Sequence, residues 1–248
     1  MFFEKKKNLL IGRSALLYNN PRVIHGFSTR KGGVSQPPFD ALNLGVNTPD
    51  QRENIIQNQN LFFNSLHISQ NSLAIPTQVH SDRVVPVESA GSFQDTDGLI
   101  SCRPELILVI QLADCVPVYL YDPKKRAVGL IHAGWRGSSL RIAEKAVDMM
   151  RQVFSCKPDD MLAVIGPSIG PCCYQVGSGT AGQFESAFLH GDHLDLWTVN
   201  HRQLTDAGLP TENIEISRLC TCCHGHWFFS HRRDKGRTGR MMAFLGIV

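Results

Sequence analysis

The sequence predicts an α+β fold in which strands and helices are mixed. Apolar runs of strand length and amphipathic helix patterns follow one another without the strict alternation of a parallel-sheet protein. With 42% hydrophobic residues in 248, the chain can bury a large core. We find no repeat or linker and therefore expect one domain over residues 1–248.

The clearest predicted element is a β-hairpin near the middle of the chain. Two apolar runs, VPVYLYD and AVGLIHA, flank the polar turn 122–126. Cys115 precedes the first run and His132 ends the second, so antiparallel pairing brings a thiol and an imidazole together. An amphipathic helix is expected from Ser138, because apolar residues from Leu140 onward recur at helical spacing.

The other predicted elements lie on both sides of this hairpin. They are a strand at 22–28, a helix from a capping box at Asp50, extended pieces within 73–87, a buried strand at 105–112, a strand from 161 to the break at Gly166, helices at 179–190 and 196–207, a strand at 214–222 and a closing strand.

Composition excludes several classes of function. The net charge of +3 is too small to indicate nucleic-acid or membrane binding. No apolar run is long enough for a membrane span, and MFFEKKKNLL lacks the apolar stretch of a signal peptide. We therefore expect a cytoplasmic protein whose eight cysteines are free thiols or metal ligands. The sequence makes no prediction of oligomeric state.

His80, Cys115 and His132 are the first candidate site. Each lies where an extended segment meets a turn, and two imidazoles with one thiolate suit Zn²⁺ with an open fourth position. Their spacing matches no compact zinc motif, so buried core residues are the alternative. A Cys–His hydrolase is another, with Cys115 as nucleophile, His132 as base and Asp114 or Asn43 as the orienting group.

A second candidate metal site is the cluster of Cys220, Cys222, Cys223, His224 and His226. If this segment is a strand, alternation sends Cys223 to the face opposite Cys220 and Cys222. No second pair of matching spacing follows it, which counts against a structural zinc.

The basic loop from His231 to Arg240 is the third candidate. It has five Lys or Arg residues and one Asp, which is typical of a solvated turn. Together with Arg136 and the helix expected at Ser138, it can also form an anion site, because arginine and helix N-termini bind phosphate or carboxylate.

Five ordered blocks of the sequence resemble a known family. The blocks TQVHSDRVV, ADCVPVYLYD, GLIHAGWRG, IGPSIGPCCYQVG and FFSHRRDKGRTGR are similar to those of the laccase-domain family. That family was first labelled multicopper polyphenol oxidase, and its bacterial members are also called purine nucleoside phosphorylases or peptidoglycan editing factors. The resemblance extends from about Gly26 to Arg240, and the five blocks lie between Thr77 and Arg240. Only His231 departs from the pattern, where an aromatic residue is expected.

The resemblance implies a fold, a cofactor and an activity. It implies mixed β-sheets with covering helices, similar to a cytotoxin deamidase domain, and zinc on His80, Cys115 and His132. It implies phosphorolysis of adenosine, inosine and methylthioadenosine, with adenosine deamination as a second activity. Purine nucleoside and phosphate are then the expected partners, bound by Arg30, Asn43, Gln78, Arg136 and Arg233.

Two other functions are associated with the family, copper-dependent oxidation and the editing of cell-wall precursors. Copper fits this sequence poorly, because multicopper chemistry needs more histidines than the ten present. A Cys-dependent amide or peptide hydrolase that edits cell-wall precursors remains the alternative function.

Overall fold

The computed structural model describes residues 1–248. Its strands are β1 (Phe2–Lys6), β2 (Leu9–Arg13), β3 (Val23–Ser28), β4 (Leu73–Pro76), β5 (Val84–Pro86), β6 (Gly91–Phe93), β7 (Gly98–Ser101), β8 (Ile107–Leu112), β9 (Val116–Asp122), β10 (Ala127–Ala133), β11 (Leu162–Ile165), β12 (Leu189–His190), β13 (His193–Leu194), β14 (Ile214–Ile216) and β15 (Met241–Ile247). Its helices are α1 (Ala15–Tyr18), α2 (Arg52–Ser65), α3 (Trp135–Ser139), α4 (Ile142–Phe154), α5 (Ser178–Ala181) and α6 (Leu196–Asp206). No helix has both the length and the apolar character that a membrane crossing requires.

The strands form two large mixed sheets and one small hairpin. One sheet has the order β1-β2-β3-β15-β8-β4-β6, the other has the order β14-β11-β9-β10-β7-β5, and β12 pairs with β13. Most neighbours are antiparallel, but β4 runs parallel to both β6 and β8. The predicted α+β class, with mixed sheets and helices, is confirmed.

The two large sheets pack face to face between helices. On β9, Tyr119 and Tyr121 point into the core between the sheets, and the Tyr119 hydroxyl donates to Gly26 O at 2.9 Å. The alternate residues, Val118 and Leu120, pack toward α4 and α6. Burial on both faces explains why the hairpin strands are apolar at nearly every position. Helix α2 covers the outer face of the first sheet through Phe62 and Phe63.

Two predicted helices differ from the structure. The helix expected from Ser138 begins earlier, at Trp135, and is interrupted at Arg141, whose backbone is left-handed (φ 62°). Leu140 is consequently 49% exposed instead of lying on the apolar face. The helix expected at 179–190 is wrong: only the single turn α5 (Ser178–Ala181) and a 3₁₀ turn at Ser186–Phe188 form there.

One strand prediction and one cap prediction are also corrected, and two strands were not predicted. The strand expected at 214–222 ends at Ile216, and the residues after it form turns. Asp50 does not cap α2, which begins after Gln51; its carboxylate instead accepts from Ser35 and Asn43 side chains. Strands β1 and β2 were not predicted. The charged FFEKKK segment of the edge strand β1 has little of the apolar pattern of a buried strand, whereas β2 is apolar and lies between β1 and β3.

Candidate metal centre and active site

The hairpin places Cys115 beside His132, as its register predicts. His132 pairs with Pro117 and Ala133 with Val116, so Cys115 lies one residue beyond the end of the ladder. His80 comes from the loop after β4, where its left-handed backbone (φ 60°) turns the chain. The ligand atoms of the three side chains all lie within 4.8 Å of one another.

Asp97 organises two of these three residues. Its carboxylate Oδ1 lies 2.8 Å from His132 Nδ1 and accepts from the His80 backbone N–H at 3.0 Å. Its Oδ2 accepts from the Ser81 backbone N–H at 2.6 Å and from the Ser81 hydroxyl at 2.8 Å. Because Nδ1 of His132 is occupied by the carboxylate, Nε2 is the nitrogen left for a ligand.

The charges of this group depend on one another. Burial raises the pKa of the Cys115 thiol, but the neighbouring His132 and His80 outweigh it and bring this pKa to about 6. Burial lowers the pKa of His132, but the Cys115 thiolate and Asp97 outweigh it and raise this pKa to about 9. Burial would raise the pKa of Asp97, yet its bond to His132 lowers it to about 2. These opposing shifts favour the Cys115 thiolate and the His132 imidazolium, because each charge stabilises the other.

The three ligands lie at one side of a pocket of about 460 Å³. Its walls include the aromatic side chains of Trp135 and Tyr174 and the amides of Asn47, Gln78 and Gln111. Asp114 is the one carboxylate in the lining. It accepts from Thr221 Oγ1 at 2.6 Å, Ser230 Oγ at 3.0 Å and the Arg232 backbone N–H at 2.7 Å.

Three arginines line the pocket, and two predicted ones do not. Arg136 lies over the Trp135 ring at 4.4 Å, Arg232 lies over Tyr174 at 5.3 Å, and Arg240 is part-buried beside them. The predicted contact by Arg233 is not supported: its guanidinium makes a two-pronged ion pair with Asp234 and donates to backbone carbonyls.

Arg30 is likewise used within the fold. It donates to Asp40 O at 2.7 Å, pairs with the Asp40 carboxylate at 3.0 Å and lies over the Phe229 ring at 4.7 Å. It does not line the pocket.

The two predicted amide residues have different positions. Gln78 lines the pocket, but its amide is held by the Gln111 backbone, with both N–H···O bonds at 2.8 Å. Asn43 is fully buried and does not line the pocket. Its Oδ1 accepts from the Arg240 backbone N–H at 2.9 Å, so Asn43 positions an arginine of the pocket wall.

The Cys220–His226 cluster does not assemble as one ligand set. Residues 221–223 form a turn, so Cys220 and Cys223 approach each other while Cys222 packs toward the core. His224 stacks on the Trp227 ring at 5.6 Å. The expectation from strand alternation is therefore wrong, because this segment is not a strand.

Asp97 is the main site residue that the sequence analysis did not single out. It directly precedes β7, in a segment without a periodic pattern. A signal was present, because a carboxylate followed by a buried strand can reach a neighbouring histidine in the same sheet. Tyr174 was also not singled out, whereas Arg232 and Arg240 belong to the basic loop that was expected to form an anion site with Arg136.

Fold and site together define a class. The protein is an α+β protein with a two-histidine, one-cysteine site that opens into a basic, aromatic-walled pocket. Such a donor set suits a metal ion with one position free for water or substrate.

Comparison with known proteins identifies the family. The model described as multi-copper polyphenol oxidoreductase laccase matches residues 24–248, so the chain belongs to this family. It is 36% identical to purine nucleoside phosphorylase YlmD of Bacillus subtilis (strain 168), over 92% of this chain and 90% of that one.

Two solved structures share the fold over nearly the whole chain. The hypothetical protein YfiH of Bacillus licheniformis has a TM-score of 0.91 and 37% identity, covering 99% of both chains. YlmD from Geobacillus stearothermophilus has a TM-score of 0.90 and 32% identity, covering 98% of this chain and 97% of that one. The resemblance drawn from the sequence blocks is confirmed.

Proposed function

We propose that the protein is a zinc-dependent purine nucleoside phosphorylase, acting on adenosine, inosine and methylthioadenosine. The observation that carries the proposal is one pocket that joins the His80–Cys115–His132 set to three arginines and two aromatic rings. The names of the related proteins support the same activity.

The residues of the centre fit zinc. His132 is held through Nδ1 with Nε2 free, and Cys115 is already disposed to be a thiolate, which is the form that binds metal. Zinc is commonly held by three such side chains with an open position. When bound, it supplies Lewis-acid polarisation of the substrate group that occupies that position.

The arginines are the groups that would hold phosphate. In phosphorolysis a phosphate oxygen forms a bond to C1′ of the ribose, and the C1′–N9 bond breaks. The bonding electrons leave with the purine, which takes up a proton, so the products are ribose-1-phosphate and the free base. Arg136 and Arg232 face the pocket as planar forks that suit phosphate oxygens, and Arg240 adds positive charge behind them. Holding both reactants in one pocket lowers the entropic cost of their encounter.

Tyr174 and Trp135 would hold the base. Both rings line the pocket beside the arginines, and an aromatic ring is a flat surface on which a base can stack. A purine stacks on such a surface without a strict requirement for one pattern of polar substituents. This supports a range of purine nucleosides over a single one.

Deamination of adenosine is proposed as a slower second activity of this pocket. In this reaction water replaces the 6-amino group, and inosine and ammonia are formed. Zinc deaminases use a free carboxylate as general acid and base. Here the only lining carboxylate, Asp114, already accepts three hydrogen bonds, so proton transfer is expected to be less efficient.

One observation favours a second candidate, a cysteine-dependent amide or peptide hydrolase. Cys115 lies beside His132, and His132 is bonded to Asp97. A thiol disposed to ionise, an imidazole and an orienting carboxylate are therefore next to one another in that order. This is the arrangement of a nucleophile, its base and the group that orients the base. Asp97 takes the orienting role for which Asp114 or Asn43 was expected.

Product analysis separates the two functions. Purified protein is incubated with adenosine or inosine, with and without phosphate, and the products are resolved by chromatography. Phosphate-dependent release of free base with ribose-1-phosphate supports the proposal. Absence of base release at any phosphate concentration, with zinc loaded, contradicts it.

A Cys115 series tests whether the thiol is a ligand or a nucleophile. Zinc content and activity should fall together in Cys115→Ser and recover in part in Cys115→Asp and Cys115→His, because both can bind zinc. The exposed Cys102→Ser variant is the matched control and should keep both. A Cys115→Ser protein with full zinc and no activity favours the hydrolase, as does activity that survives a chelator but is abolished by thiol alkylation.

A further inference from the structure

A second group of metal-ligating side chains lies outside the pocket. The sulfur atoms of Cys172, Cys173, Cys220 and Cys223 all lie within 4.8 Å of one another. Cys220 and Cys223 have the C-x₂-C spacing common in structural zinc sites. The second pair, Cys172 and Cys173, precedes them in the chain by about 50 residues.

We propose that these four cysteines hold a second zinc ion as a tetrathiolate site. The site is separate from the centre at Cys115 and rests on observations independent of the proposed phosphorylase activity. Binding replaces the thiol protons, which pass to solvent, and forms four zinc–sulfur bonds.

The sulfur spacing favours a metal over a disulfide. Cys223 Sγ lies 3.5 Å from Cys172 Sγ and 3.4 Å from Cys173 Sγ. In a tetrahedron with zinc–sulfur bonds of about 2.3 Å, neighbouring sulfurs are about 3.8 Å apart. A disulfide needs a sulfur separation of about 2.05 Å and joins only two partners. Cys223 is instead almost equally close to two thiols.

The backbone around the four cysteines is arranged as around a metal-bound thiolate. The Gly170 N–H donates to Cys220 Sγ at 3.3 Å, which satisfies a sulfur lone pair and orients the side chain. The two chain segments are joined by backbone hydrogen bonds from Ser168 to Leu219 O at 3.2 Å and from Thr221 to Ser168 O at 3.0 Å. The two pairs are therefore brought together by the fold and do not depend on a bound ion for their approach.

Arg233 fixes the turn that carries two of the four cysteines. Its charge is already paired with the Asp234 carboxylate, so its contribution here is structural. The Arg233 guanidinium donates to the carbonyls of Thr221 at 3.0 Å and Cys222 at 3.3 Å, within the turn that separates Cys220 from Cys223. This explains why an arginine of the basic loop is directed away from the pocket.

A zinc ion here would brace one wall of the pocket. Ile169 and Tyr174 flank the Cys172–Cys173 pair and both line the pocket. On the other segment, Thr221 donates to the Asp114 carboxylate at 2.6 Å. The site therefore fixes residues that shape the pocket without itself touching a substrate.

Metal analysis of matched variants tests the proposal. Protein is purified under reducing conditions and its zinc is measured by mass spectrometry, without any activity assay. We expect about two zinc ions per chain in the wild type and in Cys222→Ser, and about one in Cys223→Ser and in Cys115→Ser. About one ion in the wild type, lost in Cys115→Ser and kept in Cys223→Ser, overturns the proposal.

X-ray absorption of the wild type decides the matter even where a variant does not fold. With both sites filled, zinc has on average between two and three sulfur neighbours at about 2.3 Å, because one site offers a single sulfur and the other four. An average of about one sulfur overturns the proposal. A disulfide linking the two pairs in the reduced protein, detected by peptide mapping, also overturns it. Either result leaves the proposed phosphorylase activity unaffected, since that activity depends on the Cys115 centre.

Discussion

The Asp97 carboxylate is bonded to the side chain of His132 and to the backbone N–H of His80. The same Oδ1 atom lies 2.8 Å from His132 Nδ1 and 3.0 Å from the His80 backbone nitrogen. One fully buried carboxylate thus fixes the relative positions of two of the three candidate ligands. The arrangement is that of a carboxylate–histidine pair behind a metal, in which the carboxylate sets the tautomer and orientation of the ring.

Replacing Asp97 with Asn should weaken metal binding, although the three candidate ligands His80, Cys115 and His132 are unchanged. An amide can donate to Nδ1 of His132 and so favours the tautomer with its proton on Nε2, where the metal lone pair is needed. We expect zinc affinity to fall about 10- to 100-fold, measured by competition with a chromophoric chelator.

Asp95→Asn is the matched control for this prediction. Asp95 is an exposed carboxylate two residues away in the chain. Its variant should keep the affinity of the wild type. Equal zinc affinity in Asp97→Asn and Asp95→Asn would show that His132 does not need its carboxylate to bind metal.

Substituting Arg232 should selectively impair the use of phosphate. Its guanidinium lines the pocket, and an arginine–phosphate contact is a charge-assisted hydrogen bond. In Arg232→Gln we expect the KM for phosphate to rise about 10- to 100-fold, with the KM for nucleoside changed by less than about threefold. Initial rates over a grid of both substrates measure the two constants.

Arg237→Gln provides the comparison from the same loop. Arg237 is exposed and does not line the pocket, so the substitution removes the same charge from the protein without removing a pocket contact. Its kinetic constants should match the wild type. A rise of both KM values together in Arg232→Gln would indicate damage to the pocket instead of a phosphate contact.

The parts of the site that could be predicted are those set by local pairing. Cys115 and His132 meet because hairpin register follows from the two apolar runs and their turn. Asp97 could not be placed in this way, since its bond to His132 joins residues 35 positions apart, one just before β7 and one in β10. The sequence pattern also could not decide which of Arg232 and Arg233 faces the pocket. Neighbouring residues in an irregular turn have no fixed period, so one faces the pocket and the other faces the Cys220–Cys223 turn.

The same distinction applies to the fold. Strands β8, β9 and β10 were predicted well because their burial on both faces leaves long apolar runs. The interruption of the helix at Arg141 was not predicted. The helical periodicity of the sequence continues through this single left-handed residue without any change in the apolar pattern.

Acid should destabilise the protein through His25. This ring is only 4% exposed, and its Nε2 accepts from the Ser14 backbone N–H at 2.9 Å. Burial, with help from the neighbouring Arg13, lowers the pKa of His25 from 6.5 to about 4, although Glu215 and Glu4 oppose this. Because the unfolded chain takes up the proton first, stability falls as the pH decreases from about 6.5 toward about 4 and is independent of this group below that range.

The prediction is measured by urea unfolding at pH 7.5 and pH 5. Between these pH values the free energy of unfolding of the wild type should fall by about 2 kcal/mol more than that of His25→Gln. Gln can still accept the Ser14 hydrogen bond but does not titrate. The exposed His190→Gln variant should retain the full dependence of the wild type. A His25→Gln protein with an unchanged difference between the two pH values would assign the acid sensitivity to other groups.

Adding one methyl group at Gly134 should disturb the metal centre without changing a ligand. A Cβ at this position would lie 3.1 Å from Cys115 Sγ and 3.2 Å from His80 Cδ2, which is closer than ordinary contact. Both neighbours would have to shift, so we expect Gly134→Ala to reduce zinc affinity about tenfold, the lower end of the cost of misoriented ligands. Gly177→Ala is the control, because it is also an extended residue preceding a helix and its Cβ would meet nothing within 4 Å. Chelator competition on both proteins is decisive: zinc affinity lowered equally in both variants would mean that helix capping, and not crowding of Cys115 and His80, causes the loss.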